Sequence, residues 1–131
     1  MSKKITMALI GLGRVGEIFA KHLLESIQTR HIAAEIVAVA AHNIDSPVAL
    51  GFARSHVPVF EDGLKIVELG EQVDIIFDFT GDPIFRQQLR DRLRDSQNHH
   101  TIIASEIIAR LLWAFFGESH ELPDNHTSTG Y

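Results

Sequence analysis

The sequence predicts an α/β domain, a three-layer, doubly wound parallel sheet with strand order 3-2-1-4-5 that ends in a hydrophobic helix. Three observations carry that prediction. The stretch Lys4–Phe19, KITMALIGLGRVGEIF, runs from strand-forming residues through Gly11, Gly13 and Gly16 straight into an amphipathic helix. A second strand-to-helix junction follows at VDIIFDFTGDP, residues 73–83. Between and after them, short apolar runs alternate with helical patterns, as parallel sheets with crossover helices require.

Ile5 to Ile10 is mostly apolar without alternation, the pattern of a strand covered on both faces, and is expected at the centre of the sheet. In the helix that follows, Val15, Ile18, Phe19, His22, Leu23, Ser26 and Ile27 share one face, while Glu17, Lys21 and Glu25 lie on the other at i,i+4 spacing. His22 is therefore expected as a partly buried helix histidine. Glu35 to Ala41, EIVAVAA, reads as a second buried strand, joined in parallel to the first by a right-handed crossover. Ser46-Pro47 starts a short helix reaching about Ser55, with serine as N-cap and proline in the first helical position. Val57 to Phe60 is expected as an edge strand, where Pro58 costs least. Asp62 to Leu69 reads as another short helix, closed by Gly70.

Val73 to Phe79 is the fourth strand, and Asp82 with Pro83 begins the next helix. Asp78 lies within that strand, where a carboxylate must find a partner or reach water. The helix from Pro83 to Asp95 buries Phe85, Leu89 and Leu93 and is expected to expose Arg86, Arg90, Arg92 and Arg94 with Asp91 and Asp95 as a solvated face. Thr101 to Ala104 makes a fifth strand, with His99 and His100 at the end away from the glycine turn, a poor place for a metal site. In the last helix, Ser105 to Phe116, the residues Ile107, Ile108, Leu111, Leu112 and Phe115 form one broad apolar face, extended by Ala109, Trp113 and Phe116. A helix on the outside of such a domain needs only one buried face, so the surplus at Trp113 and Phe116 predicts a partner, either a second copy of the chain or a partner domain, the alternative being a helix packed deeply in its own domain. The domain is expected to span residues 1–117, and the polar remainder, 118–131, is expected to be disordered.

Composition narrows the functional classes. There is no cysteine, which excludes disulfides, thiolate catalysis and cysteine-ligated zinc and is in keeping with a cytoplasmic protein. Twelve basic against seventeen acidic residues give a net charge of −5, which argues against a nucleic-acid partner. The most apolar run, Ile107 to Phe116, is interrupted by Arg110 and is too short to span a bilayer, and no signal peptide precedes the first strand.

The glycine junction carries the chemistry. A helix N-terminus presents unpaired N–H groups and a partial positive charge, so a diphosphate can sit against it where glycines clear the approach. Gly11 allows the tight turn, Gly13 lets backbone come near the ligand, and Gly16 lets the helix lie close on its strand. The acid that ordinarily binds the adenosine ribose at the end of the second strand is missing; Ala41, His42 and Asn43 stand there, with Asn43 able to bond a ribose hydroxyl and His42 or Arg14 able to approach a 2′-phosphate. Because the chain reverses direction between strands 1 and 4, Thr80 and Gly81 are expected across the crevice from Gly13.

The segment ALIGLGRVG resembles the opening of NAD(P)-binding Rossmann domains, including the Gfo/Idh/MocA oxidoreductases and the homoserine and aspartate dehydrogenases. VDIIFDFTGDP is similar to the corresponding strand end of dihydrodipicolinate reductase, and the resemblance covers about residues 4 to 104. It implies NAD or NADP as cofactor, with Gly11, Leu12, Gly13, Arg14, Val15 and Gly16 at the diphosphate and Thr80 and Gly81 bordering the nicotinamide ribose. Those enzymes hold substrate in a further domain after the fifth strand, and no lysine, histidine or tyrosine constellation replaces it here, so no catalytic and no metal-binding residue is assigned. Three readings follow: a nucleotide-binding or sensing module, the cofactor half of an oxidoreductase completed elsewhere, or a ligand-free interaction domain.

Overall fold

The computed structural model describes residues 3–115. Expectations for Phe116 and for the segment 118–131 fall outside them. Five strands, β1 (Ile5–Ile10), β2 (Ala34–Ala40), β3 (Val59–Phe60), β4 (Ile75–Asp78) and β5 (Ile102–Ala104), form one sheet in the order β3-β2-β1-β4-β5, with every pairing parallel. Four helices, α1 (Arg14–Arg30), α2 (Pro47–Arg54), α3 (Pro83–Asp95) and α4 (Glu106–Phe115), flank it, with a 3₁₀ segment over Gly63–Gln72.

Two apolar layers hold the sheet between them. On one face Met7, Leu9, Phe77 and Phe79 meet Phe19 of α1, Phe52 of α2 and Ala109 and Trp113 of α4. On the other, Ala8, Ile10, Ala38 and Ile76 meet Ile66 and Val67 of the 3₁₀ segment and Phe85, Leu89 and Leu93 of α3. β1 supplies both layers because successive side chains point to opposite faces, which is why its sequence is apolar without alternation. Phe19 sits against Phe77 and Phe79 at ring-centroid distances of 5.4 and 5.2 Å, fixing α1 over the β1–β4 seam.

The register holds one irregularity that periodicity did not reveal. Met7 pairs with Ile36 but Ala8 pairs with Ala38, so Val37 is an extra residue in β2. The bulge reverses the alternation: Ala34 and Ile36 share a face with Val39 and Ala41. The third strand is two residues long, not the four expected, and accepts Val39 N–H at Pro58 O just before it begins. The segment read as a short helix closed by Gly70 is 3₁₀, and Gly70, at φ 63°, ψ −145°, does break it, with a further turn reaching Gln72. Gly63 starts it so close to the sheet that a Cβ would lie 2.8 Å from both Ile10 Cγ2 and Phe85 Cζ.

Two charged groups occupy places that hydrophobic patterning does not describe. Asp78, with a fully buried side chain, accepts Arg86 Nε at 2.8 Å. Arg86 therefore departs from the solvated face expected of α3: its side chain is 24% exposed and turned back to the strand. At the amino end of the strands, Asp74 accepts Thr6 N–H at 2.9 Å and pairs with His100 Nε2, placing His100 at the end of the domain away from the glycine turn.

In the last helix Trp113 follows the alternative of packing within its own domain, while the face expected to be buried is turned outward. Trp113 is buried against its own domain, 5% exposed, in edge-on contact with His22 at 4.7 Å, so it is not a partner contact. Ile107, Ile108, Leu111 and Phe115 point the other way and are 43–75% exposed. The helix is apolar nearly all round, and composition alone does not choose the inward side. His22 accordingly takes the half-buried place on α1 that the sequence pattern assigns to it.

Removing one partner of the Asp78–Arg86 pair leaves a buried donor without its acceptor charge. Asp78→Asn is expected to lower stability by about 3 kcal/mol in urea denaturation, near the low end for buried pairs because Arg86 is partly solvated; no loss would show the pair to be idle. The hydrogen bond from His100, then that from Thr6, holds the Asp74 carboxyl below its ordinary pKa of 3.8. A carboxylate with a lowered folded-state pKa stabilises the fold above its unfolded value and loses that contribution as the pH falls through the folded value. The melting temperature of Asp74→Asn should therefore drop less than that of the parent protein between about pH 5 and about pH 3.

Candidate functional site

The site is built at the carboxyl ends of β1, β2 and β4. Gly11 follows β1 with φ 98°, and its N–H donates to Ala40 O at 2.9 Å, which ties the turn to β2. Only a glycine adopts that conformation without strain. Gly13 is the N-cap of α1, in extended geometry, and supplies no side-chain cap. The first turn of the helix closes when Glu17 N–H donates to Gly13 O at 2.8 Å. Among the described residues, no acceptor is found for the N–H groups of Arg14, Val15 and Gly16, the first three of the helix.

Gly16 is the tightest point. An added Cβ would stand 2.0 Å from Gly11 O and 3.0 Å from Gly11 C, both backbone atoms. The first turn of α1 thus lies directly on the turn that precedes it, and only a glycine permits the approach. Leu12 and Val15, 4% and 2% exposed, turn into the core, so only their backbone faces the crevice. Gly13 is half-buried and Arg14 is exposed beside it.

The second loop stands next to the first. Ile10 pairs with Asp78, and Phe79 N–H donates to Ile10 O at 2.8 Å, so Thr80 and Gly81 leave β4 beside Gly11. This is the point at which strand order reverses, where open α/β sheets form their crevice. Asp78 shapes the turn: its Oδ1 accepts the Thr80 N–H at 2.9 Å and the Thr80 hydroxyl at 2.7 Å, while its Oδ2 holds Arg86. The Thr80 hydroxyl in turn accepts Asp82 N–H at 3.2 Å, and Asp82 Oδ1 caps α3 by accepting from Ile84 and Phe85. Gly81, with φ 66°, completes the turn on the exposed side. The Asp78–Arg86 link escaped sequence reasoning, although its signal is present: an acid in an apolar strand, two residues before a threonine and eight before an arginine.

His42 and Asn43 follow β2 on the other flank of the glycine turn, and both are exposed. Asn43 Oδ1 accepts Asp45 N–H at 3.0 Å, which commits the oxygen to the local turn and leaves the amide nitrogen as a donor. Asp45 is thus a turn residue. Among the described residues there is no group of three or more histidine, aspartate or glutamate side chains that could hold a metal ion. The structure brings Gly11, Leu12, Gly13, Arg14, Val15, Gly16, Thr80 and Gly81 to the carboxyl end of the sheet, where β1 and β4 pair, and His42 and Asn43 follow β2 at the same end.

No family model matches the sequence, and no curated protein matches it. Among solved structures, homoserine dehydrogenase of S. aureus at pH 6.0 matches with a TM-score of 0.58 at 20% identity, over 89% of this chain and 32% of that one. Myo-inositol 2-dehydrogenase from Lactobacillus plantarum matches with a TM-score of 0.52 at 21% identity, over 83% of this chain and 38% of that one. The chain spans about a third of the length of the dehydrogenases it matches. At these identities the likeness establishes the fold: a Rossmann-type α/β domain of the kind those dehydrogenases contain.

Proposed function

We propose that the chain is a nucleotide-binding or sensing module for an NAD(P)-type dinucleotide, working in the cytoplasm and carrying no catalytic residue of its own. The observation that carries this reading is the uncapped N-terminus of α1, with the Gly11–Gly16 turn drawn tight beneath it and the β4–α3 turn beside it. Uncapped N–H groups and the helix dipole suit a diphosphate. In this reading the backbone of Gly11, Leu12, Gly13, Arg14, Val15 and Gly16 holds the diphosphate, and Thr80 and Gly81 border the nicotinamide ribose. The cofactor, when bound, supplies hydride chemistry; the chain supplies binding and orientation.

The adenosine end favours NADPH over NADH. An acid at the tip of β2 would accept both ribose hydroxyls and repel a 2′-phosphate. Here the exposed groups flanking the turn are Arg14, His42 and the amide nitrogen of Asn43, all able to donate. Donors match a phosphate and leave ribose hydroxyls with weaker partners.

A second reading, the cofactor half of an oxidoreductase completed by another domain or chain, has one observation in its favour. A cleft of about 240 Å³ lies beside Gly81, lined by Arg86, Ser105 and Glu106, where a polar substrate could meet the nicotinamide end. Turnover on adding a partner chain would favour this second reading. α4 is the surface through which either version meets its partner, by Ile107, Ile108, Leu111 and Phe115 in place of Trp113.

Calorimetric titration should show saturable NADPH binding at least about tenfold tighter than NADH, with ADP competing, and Arg14→Ala should remove most of that preference without lowering the melting temperature. Absence of saturable binding and of any thermal shift with all three nucleotides would overturn the proposal.

A further inference from the structure

The face of the sheet that carries α1 and α2 is covered unevenly. α1 runs 17 residues and α2 only 8, about 25 Å of helix against about 12 Å. The second half of α1 outruns its neighbour, and a groove of about 560 Å³ opens between the two helices. Ala34 and Ile36 of β2 form its floor, Leu24 and Ile27 of α1 one wall, and Val48 and Phe52 of α2 the other. That volume lies within the roughly 300–1,000 Å³ of sites that take small molecules, which are lined in the same way, by apolar walls with a few polar groups.

Gly51 keeps the groove open. It stands inside α2 and lines the groove, at a place where glycine is less favourable to a helix than alanine. Neither reason that fixes a glycine elsewhere in this chain applies to it. Its φ is not positive, and an added Cβ would meet nothing within 4 Å, whereas at Gly16 and Gly63 a Cβ would collide with its neighbours. What the missing side chain provides is space.

The rim of the groove is charged. Lys4, Lys21 and Glu35 line it, and Lys4 faces Glu35 at 3.9 Å. Lys21 is exposed and, among the described residues, pairs with no carboxylate, those of Glu17 and Glu25 one helical turn away included. An apolar groove beside one uncompensated ammonium matches a molecule with an apolar body and a single anionic group. Most of the affinity would come from the body, which displaces water from the groove. The exposed lysine adds little to it and decides which head group is preferred.

We propose that the α1–α2 groove binds a small amphipathic carboxylate, with its hydrocarbon body along Ala34 and Ile36 and its head group against Lys21. The site is independent of the dinucleotide reading, because it shares no residue with the glycine turn.

The test is a titration of the full chain with octanoate, octanol and octylamine, each kept below the concentration at which it aggregates, followed by proton–nitrogen correlation spectra. Octanoate should shift the amides of Leu24, Ile27, Ala34, Ile36 and Phe52 together and to saturation. It should bind about threefold more tightly than octanol, the gain expected of one exposed ion pair, with octylamine weakest. Gly51→Leu should weaken octanoate binding at least about tenfold while raising the melting temperature, because it fills the groove and removes a glycine from a helix interior. Lys21→Gln should leave octanol binding unchanged and bring octanoate down to the same level. Shifts that never saturate, shifts spread over the whole sheet as a detergent would cause, or a Gly51→Leu protein that binds octanoate as well as the parent would overturn the proposal. Equal affinity of the parent for acid and alcohol would overturn it too, since the groove would then select no carboxylate. So would a dimeric parent protein that excludes octanoate and is dissociated by Gly51→Leu, which would put a second copy in the groove.

Discussion

The first turn of α1 rests on the turn that precedes it at a separation no side chain allows. Gly16 faces Gly11 O across a gap that a Cβ would close to 2.0 Å, and much of the architecture around the crevice follows from that contact. The same helix packs on the sheet through Phe19 against Phe77 and Phe79. The contact also holds the helix N-terminus against the turn at the tip of β1, whose strand lies between β2 and β4. The same atoms that satisfy packing leave three helix N–H groups at the lip of the crevice without acceptors among the described residues. Unpaired N–H groups at a helix N-terminus are what the proposed diphosphate contact calls on.

A second constraint works from the neighbouring strand. Asp78 is a buried carboxylate, and burying an ion is tolerated only when its lone pairs are used. Here one oxygen is used by Thr80 and the other by Arg86, so the cost of burial is offset by bonds that define the β4–α3 turn. The turn is therefore held from below by a strand and from the side by a helix. The two turns stand side by side at the carboxyl end of the sheet, the first fixed by backbone contact and the second by the Asp78 bonds.

Much of this was legible in the sequence, for physical reasons that can be named. Glycine spacing after an apolar run reports the turn because few residues can replace glycine where backbone meets backbone. Strand order follows from the second junction, since TGDP marks a strand end and a helix cap together. Edges and faces were harder to read. The bulge at Val37 swaps which side chains face which layer, yet EIVAVAA is apolar on both sides and shows no break. The close seat of Gly63, where a Cβ would meet Ile10 and Phe85, is set by residues from distant parts of the chain. In α4 the apolar pattern runs nearly all round, and the inward side is chosen by His22 meeting Trp113, a tertiary contact invisible to periodicity. Arg86 likewise looked like one charge among several on α3, until the strand showed which of them had a buried acid to meet.

The central claim is that a dinucleotide diphosphate docks on the backbone of the β1–α1 turn, and amide chemical shifts report on that backbone directly. In a proton–nitrogen correlation spectrum recorded during titration with NADPH, the amides of Gly11, Gly13, Arg14, Val15 and Gly16 should move together and saturate, with Thr80 and Gly81 following and the α1–α2 groove unaffected. Shifts confined to the groove, or an unchanged glycine turn at saturating nucleotide, would contradict it.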